Sequence, residues 1–120
     1  MKSYDEVIHN GKNIVIVDLS NTTPEQAIVI MREAQEKIAQ MPPHSVLILT
    51  DVTNARYNAE SLDAIKGFAA KNSPFIKASA AVGSEGLRAV VRPGVERAAG
   101  RKITAFATRE EAMDWLASQE

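Results

Sequence analysis

Apolar residues in this chain fall into short runs separated by polar turns, and the spacing within each run predicts the element that it forms. Val7-Ile8 and residues 14–17 are apolar runs on either side of Asn10-Gly11. That dipeptide favours a two-residue hairpin, because both of its residues tolerate a positive φ. The first strand is therefore predicted to be short, antiparallel and at an edge of the sheet. The second is apolar throughout, as expected of a strand that is covered on both faces.

The first helix is predicted from its start and stop signals. Thr23 is a suitable N-cap, Pro24 suits the first helical position, and Gln26 completes a capping box. Pro42-Pro43 ends this helix. The remaining chain predicts, in order, a central strand over residues 45–51, a helix that Asn58 caps and that runs to about residue 71, a strand over 76–82, a helix over 84–99, a strand over 103–106 and a last helix that Thr108 caps.

These elements predict one α/β domain that spans residues 1–120. Their order is ββαβαβαβα, and strands joined through helices form parallel, right-handed crossovers. We therefore expect a mixed, mostly parallel sheet of about five strands with about four helices, in which only the first strand is antiparallel. Pro93-Gly94 lies inside the helix predicted over residues 84–99 and is expected to kink or split it after Arg92.

Composition narrows the class of protein without revealing a reaction. The chain has no cysteine and no run of about 18 apolar residues, so disulfides, thiolate chemistry and a transmembrane segment are not expected. Its polar, acidic start is unlike a signal peptide. We therefore expect a cytoplasmic protein.

The formal net charge of −1 conceals a basic tract between Gly86 and Arg109. This tract contains six basic residues and one acidic residue, Glu96, so its local charge is +5 and the rest of the chain carries −6. A local basic patch attracts anions, but a chain near neutrality overall is not typical of a dedicated nucleic-acid-binding protein. The alternative is that these side chains are simply solvated. They are Arg88, Arg92, Arg97, Arg101, Lys102 and Arg109.

Three segments resemble the SpoIIAA-like, or STAS/SEC14-type, bacterial domains: Asp51-Val52-Thr53, residues 77–83, and the last strand and helix over residues 105–116. The resemblance extends from about Asn13 to Leu116. It implies a cytoplasmic (βα)n superhelical module. The anti-sigma-factor antagonists among these domains bind a partner kinase and are switched by phosphorylation of a serine in an Asp-Ser-Ser-Gly-like segment at a helix N-terminus. The corresponding segment here reads Asp51-Val52-Thr53-Asn54, so Thr53 is the candidate phosphoacceptor.

Polar residues collect where the parallel strands end. Ligands of open α/β sheets bind at this carboxyl edge, and Asp18 and Asp51 are both expected there. Two aspartates at strand ends are typical of the acidic pocket of a receiver domain, but Asp18 has no paired acid beside it, so no metal site is predicted. The alternative is that these residues cap turns. The full set is Asp18, Ser20, Asn21, Asp51, Thr53, Asn54, Gly83, Ser84 and Glu85.

Gly83-Ser84-Glu85-Gly86 follows a strand and opens a predicted helix, where free backbone N–H groups and the helix dipole favour an anion. Arg88 and Arg92 would add charge-assisted contacts. We therefore name Asp51, Ser84, Arg88 and Arg92 as ligand-binding candidates. The segment lacks the lysine of a P-loop and the third glycine of a dinucleotide fingerprint, so no cofactor is predicted and ordinary turn glycines remain the alternative.

His9 and His44 are expected at the opposite, amino edge of the parallel strands, so neither is predicted to join a catalytic or metal-binding group. Without a general base and a partner for it, an enzyme is not expected. The resemblance instead favours a regulatory domain that binds a protein partner. The alternative is a small-ligand domain that binds an anion, a nucleotide or a lipid.

The first helix carries five consecutive apolar residues, 27–31. A helix packed on a sheet buries about 100° of its circumference or somewhat more, whereas five consecutive positions span the whole circle. Val29 and Ile30 are therefore predicted to contact a second subunit in a homodimer. The alternative is that a neighbouring helix of the same chain covers them.

Overall fold

The structure is a computed structural model, and it describes residues 3–83, 92–100 and 102–119, without the side chains at 92, 93, 98 and 99. Its strands are β1 (Tyr4–His9), β2 (Lys12–Asp18), β3 (Val46–Asp51), β4 (Ile76–Val82) and β5 (Thr104–Phe106). Its helices are α1 (Pro24–Ile38), α2 (Ala59–Asn72), α3 (Arg92–Ala99) and α4 (Arg109–Ala117), and a 3-10 turn (Ser73–Phe75) precedes β4.

The five strands form one sheet in the order β1-β2-β3-β4-β5. β1 pairs with β2 in antiparallel fashion, and all other neighbours are parallel. The α/β class and the mixed, mostly parallel sheet predicted from the sequence are therefore confirmed. At the carboxyl edge the register aligns Asp18 with Asp51, Asp51 with Val82, and Val82 with Phe106.

Two apolar cores lie on opposite faces of the sheet. Alternate residues of a strand point to opposite faces. Val15, Val17 and Ile48 accordingly pack with α1 and α2, whereas Ile14 and Leu49 pack with α4 on the other side. α3 packs against α2, where Val95 contacts Ala69.

Helix starts agree with their sequence signals. Thr23 forms the predicted capping box with Gln26, and Asn58 forms a second one with Ser61. Thr108 caps α4 by accepting a hydrogen bond from the Glu111 backbone. Each cap satisfies backbone donors that have no partner inside the helix.

Several boundaries differ from the prediction. β1 begins at Tyr4 rather than at Val7, since an edge strand tolerates the charged residues between them. α1 ends at Ile38, and turn hydrogen bonds lead the chain from there to the proline pair. α3 begins at Arg92, next to the expected break, while residues 84–91 lie outside the described part. In the described ranges, no helix is long and apolar enough to cross a membrane.

Candidate functional site

The candidate site is built on Asp18 and Asp51, the last residues of two neighbouring parallel strands. They are register partners, and their residues are only 8% and 6% exposed. Strand alternation places both side chains on the face that α4 covers. Two carboxylates that the sequence leaves far apart are thus brought together under the start of a helix.

Each aspartate closes a turn of the same design. One Asp18 carboxylate oxygen, Oδ1, accepts hydrogen bonds from the Ser20 backbone N–H (3.0 Å) and hydroxyl (2.5 Å). Asp51 Oδ1 accepts the equivalent bonds from the Thr53 backbone N–H (3.0 Å) and hydroxyl (2.7 Å). A left-handed asparagine follows each turn, with φ of 57° at Asn21 and 56° at the equivalent position 54. Such asparagines tolerate the left-handed region better than most residues.

The two turns also contact each other directly. The Leu19 N–H donates to the Asp51 carbonyl (2.8 Å), and the Asn21 N–H donates to the Thr53 carbonyl (2.9 Å). No repeat was predicted here from the sequence. The signal that would have revealed it is the pair Asp18-Leu19-Ser20-Asn21 and Asp51-Val52-Thr53-Asn54, two short segments with one Asp-x-Ser/Thr-Asn pattern.

Arg109 joins the two aspartates through their remaining oxygens. Its Nε lies 2.7 Å from Asp51 Oδ2, and its Nη2 lies 3.2 Å from Asp18 Oδ2. Arg109 is the first residue of α4, so the packing of that helix on the sheet carries the guanidinium to the carboxyl edge. From the sequence, Arg109 was recognised only as part of the basic tract, because its partners lie far away in the chain.

The contacts in this cluster favour the charged forms of Asp18 and Arg109. Burial of Asp18 opposes ionisation, but hydrogen bonds from Ser20 and the nearby Arg109 charge outweigh burial and lower its pKa below the usual value. Burial also opposes the charge on Arg109, yet Asp51 and Asp18 together raise the guanidinium pKa further. Two carboxylates and one guanidinium give the cluster a formal charge of −1.

Thr53, the candidate phosphoacceptor, is half-buried at this edge. Its neighbour across the sheet is Gly83, which has a φ of 78°, and a Cβ on that glycine would come within 2.7 Å of the Thr53 backbone. The resemblance implied that the phosphoacceptor lies at a helix N-terminus, but Thr53 does not lie at one. A loop over residues 54–57 follows it, and Asn58 caps α2 instead.

The other ligand-binding candidates cannot be joined to this cluster from the described residues. Ser84 and Arg88 lie outside the described part, and Arg92 is placed only as the first residue of α3. The predicted anion site therefore remains a prediction. Of the four candidates, Asp51 alone has described side-chain contacts, and both of its oxygens are engaged.

The two histidines lie apart from the candidate site. His9 Nε2 is 2.6 Å from Asp114 Oδ1 on α4, and His44 lies in an exposed turn before β3. In the ranges that the structure covers, no group of three or more histidine, aspartate or glutamate side chains is arranged to hold a metal ion. Tyr57 has a buried hydroxyl without a hydrogen-bond partner among the described residues, and burial raises its pKa to about 12.

Comparison with known proteins supports the fold and no particular activity. The chain is similar to the crystal structure of an uncharacterized protein of the DUF3478 family, with a SpoIIAA-like fold, from Shewanella loihica PV-4. The TM-score is 0.73 at 14% sequence identity, over 94% of this chain and 91% of that one. No protein-family model and no curated protein matches this chain. The SpoIIAA-like fold expected from the sequence is thereby confirmed.

Proposed function

We propose that this chain is a non-enzymatic regulatory domain that binds a protein partner at the carboxyl edge of its sheet, and that modification of Thr53 switches this binding. One observation carries the proposal: the Thr53 hydroxyl is bonded to Asp51, and the other oxygen of Asp51 holds Arg109. A change at Thr53 therefore acts on an ion pair that ties the edge of the sheet to α4.

The state of the two aspartates favours binding over catalysis. In each carboxylate, one oxygen accepts two turn hydrogen bonds and the other contacts Arg109. A general acid or base works best when its pKa lies near the operating pH. The pKa of Asp18 is shifted the opposite way, below its usual value.

Phosphorylation would alter the cluster in a defined way. Transfer of the terminal phosphoryl group of a nucleoside triphosphate to Thr53 Oγ1 leaves a nucleoside diphosphate and releases the hydroxyl proton, so Thr53 no longer donates to Asp51. The phosphate adds roughly 1.5 to 2 negative charges at neutral pH. Arg109 is the cation already bound beside Thr53, and a phosphate is a strong bidentate partner for arginine. We expect Arg109 to turn from the aspartates toward the phosphate, which changes the docking surface.

The test is a pull-down from cell extract with the wild type, Thr53→Glu and Thr53→Val, together with mass spectrometry of the purified chain for phosphate. We expect a specific partner whose recovery changes with Thr53→Glu and much less with Thr53→Val. Ser45→Glu is the control, because Ser45 is exposed just before β3, at the opposite, amino edge of the sheet. No specific partner with any variant, or equal effects of Ser45→Glu and Thr53→Glu, would contradict the proposal.

The small-ligand site and the homodimer, both predicted from the sequence, remain predictions. For an anion, the small-ligand alternative rests on Ser84 and Arg88, whose contacts are outside the described part, and for an apolar ligand it rests on the small side chains of β4. A thermal-shift screen with nucleotides, phosphorylated metabolites and lipids tests it, because a ligand at about 100 times its Kd adds about 2.7 kcal/mol of stability. The homodimer rests on Val29, which is half-exposed, and on Ile30, which is partly buried against the core.

A further inference from the structure

A second surface lies where α1 borders the edge strand, on the face of the sheet opposite to the Asp18 and Asp51 side chains. α1 packs over β2, and β1 extends beyond it as the outermost strand of the sheet. We call this surface the β1–α1 flank and define it by Tyr4, Glu6 and Ile8 on β1 and by Glu25, Val29 and Glu33 on α1. Strand alternation puts the three β1 side chains on the same face of the sheet as α1.

Large hydrophobic side chains are exposed on this flank, whereas elsewhere in the described chain they are at least partly buried. Ile8 is 73% exposed and Val29 is 50% exposed, and these are the two large hydrophobic residues left exposed in the described ranges. Val29 and Ile30 line an open groove of about 540 Å³ that reaches Ser3. A second groove, of about 520 Å³, continues from Ser3 along Tyr4 and Glu6. Ile8 lies outside both grooves, four residues along β1 from Tyr4. Exposed apolar surface with a polar rim is typical of an interaction site.

The charge of the two grooves is one-sided. On the α1 face, three acidic residues and one lysine line them, and the ammonium of Lys37 lies 4.6 Å from the centre of the Tyr4 ring. The acidic residues are Glu6, Glu25 and Glu33, whereas the Asp5 side chain alternates to the opposite face of the sheet. An acidic rim of this kind favours a cationic partner and disfavours an anionic one.

We propose that the β1–α1 flank binds a cationic amphipathic helix of a protein partner. The inference rests on the partner-binding role proposed above and assigns a second surface to it. Helices α1 and α2 cover this face of the sheet over its central strands, and one more helix beside α1 would cover β1 in the same way. Its apolar stripe contacts Ile8 and Val29, and its lysine or arginine side chains face Glu25 and Glu33.

The experiment measures fluorescence anisotropy of a labelled helical peptide of leucine and lysine, titrated with the full chain. The control peptide has glutamate in place of every lysine. We expect the lysine peptide alone to bind, and its affinity to fall as sodium chloride is raised. Glu25→Lys/Glu33→Lys is expected to weaken binding by about tenfold, and Ile8→Ser/Val29→Ser by about fivefold. Asp63→Lys, on the exposed surface of α2, is the matched charge control and should change affinity less than twofold.

Three results would overturn the inference: no binding of the lysine peptide, equal binding of the glutamate peptide, or equal loss of affinity with Asp63→Lys. A fourth is a dimer in sedimentation that Val29→Glu dissociates, because a second copy would then occupy the flank. Failure here is separable from failure of the proposed function. A partner recovered in the pull-down that responds to Thr53→Glu but not to Glu25→Lys/Glu33→Lys would leave the proposed function standing and remove the flank.

Discussion

Thr53 and Gly83 are packed backbone against backbone at the carboxyl edge of the sheet. A Cβ built on Gly83 would lie 2.7 Å from both the N and the Cα of Thr53 and would overlap its Oγ1. The neighbouring hydrogen bond from the Val52 N–H to the Val82 carbonyl (2.9 Å) holds the two loops at this separation. The position of Thr53 therefore depends on the absence of a side chain at residue 83.

Gly83→Ala is expected to destabilise the fold by about 3 kcal/mol. A left-handed φ costs a residue with a Cβ about 1 to 2 kcal/mol, and forced overpacking adds about 1 to 3 kcal/mol. Urea denaturation followed by circular dichroism measures the change. Gly11→Ala is the matched control, because Gly11 has nearly the same φ (79°) and nothing within 4 Å of its Cβ position. It should show the backbone cost alone, and equal losses for both variants would contradict the close contact.

Arg109→Ala is expected to destabilise the protein by about 2 kcal/mol. Removing one partner of a buried ion pair costs about 3 to 5 kcal/mol, and the partial exposure of Arg109 reduces that cost. Arg32→Ala, at an exposed position of α1, should change stability by less than about 0.5 kcal/mol. Equilibrium denaturation at low salt measures both. A loss no larger than that of Arg32→Ala would mean that the Asp18–Asp51 pair does not need the guanidinium.

Gly67→Ala is expected to stabilise the chain by about 0.5 to 1 kcal/mol. Gly67 lies inside α2, and a Cβ there would meet nothing within 4 Å. Alanine reduces the conformational freedom of the unfolded chain and favours helix, so the gain requires no new contact. A rise in Tm confirms it, and a fall would indicate that the surface of α2 is less open than the structure shows.

Much of the fold could be predicted because its signals are local. Asn10-Gly11 specifies the hairpin, and Thr23 and Asn58 specify helix starts through bonds to residues three positions away. Apolar runs such as residues 14–17 identify buried strands before any contact is known. Boundaries that depend on packing were predicted less well: the edge strand begins at Tyr4, three residues before its apolar run.

The sequence predicted the two aspartates of the candidate site but not their contacts with Arg109. Asp18 and Asp51 were placed at the carboxyl edge because strand ends of parallel neighbours meet there. Arg109 and Asp51, which are in contact, are 58 positions apart in the sequence. Their contact depends on how α4 packs on the sheet, and no local sequence pattern encodes that packing. Ser20 was noted only as a residue of that edge. Its equivalence to Thr53 emerges from two turns with the same hydrogen bonds.

The stability of the protein should decrease as the pH falls below about 5, and Asp18 should account for part of this dependence. Burial raises the pKa of Asp18, but the Ser20 hydrogen bonds and the Arg109 charge lower it more, so the folded-state pKa lies below its ordinary value. An unfolded aspartate titrates near pH 3.9, so below about pH 5 the unfolded chain binds more protons than the folded one. The stability that ionised Asp18 contributes is therefore fully present well above the unfolded-state pKa of about 3.9, and it is lost as the pH falls through the folded-state pKa.

Urea denaturation at several pH values between about 7 and 2.5 tests this assignment. Asp18→Asn keeps a side-chain oxygen for Ser20 but cannot ionise, so its free energy of unfolding should be lower at pH 7 and should depend less on pH in the acid range. Asp63→Asn, at an exposed position on α2, serves as the control and should retain the wild-type slope. If Asp18→Asn and the wild type lose stability in parallel, other carboxylates produce the acid dependence, and the contacts of Asp18 with Ser20 and Arg109 do not favour its ionised form.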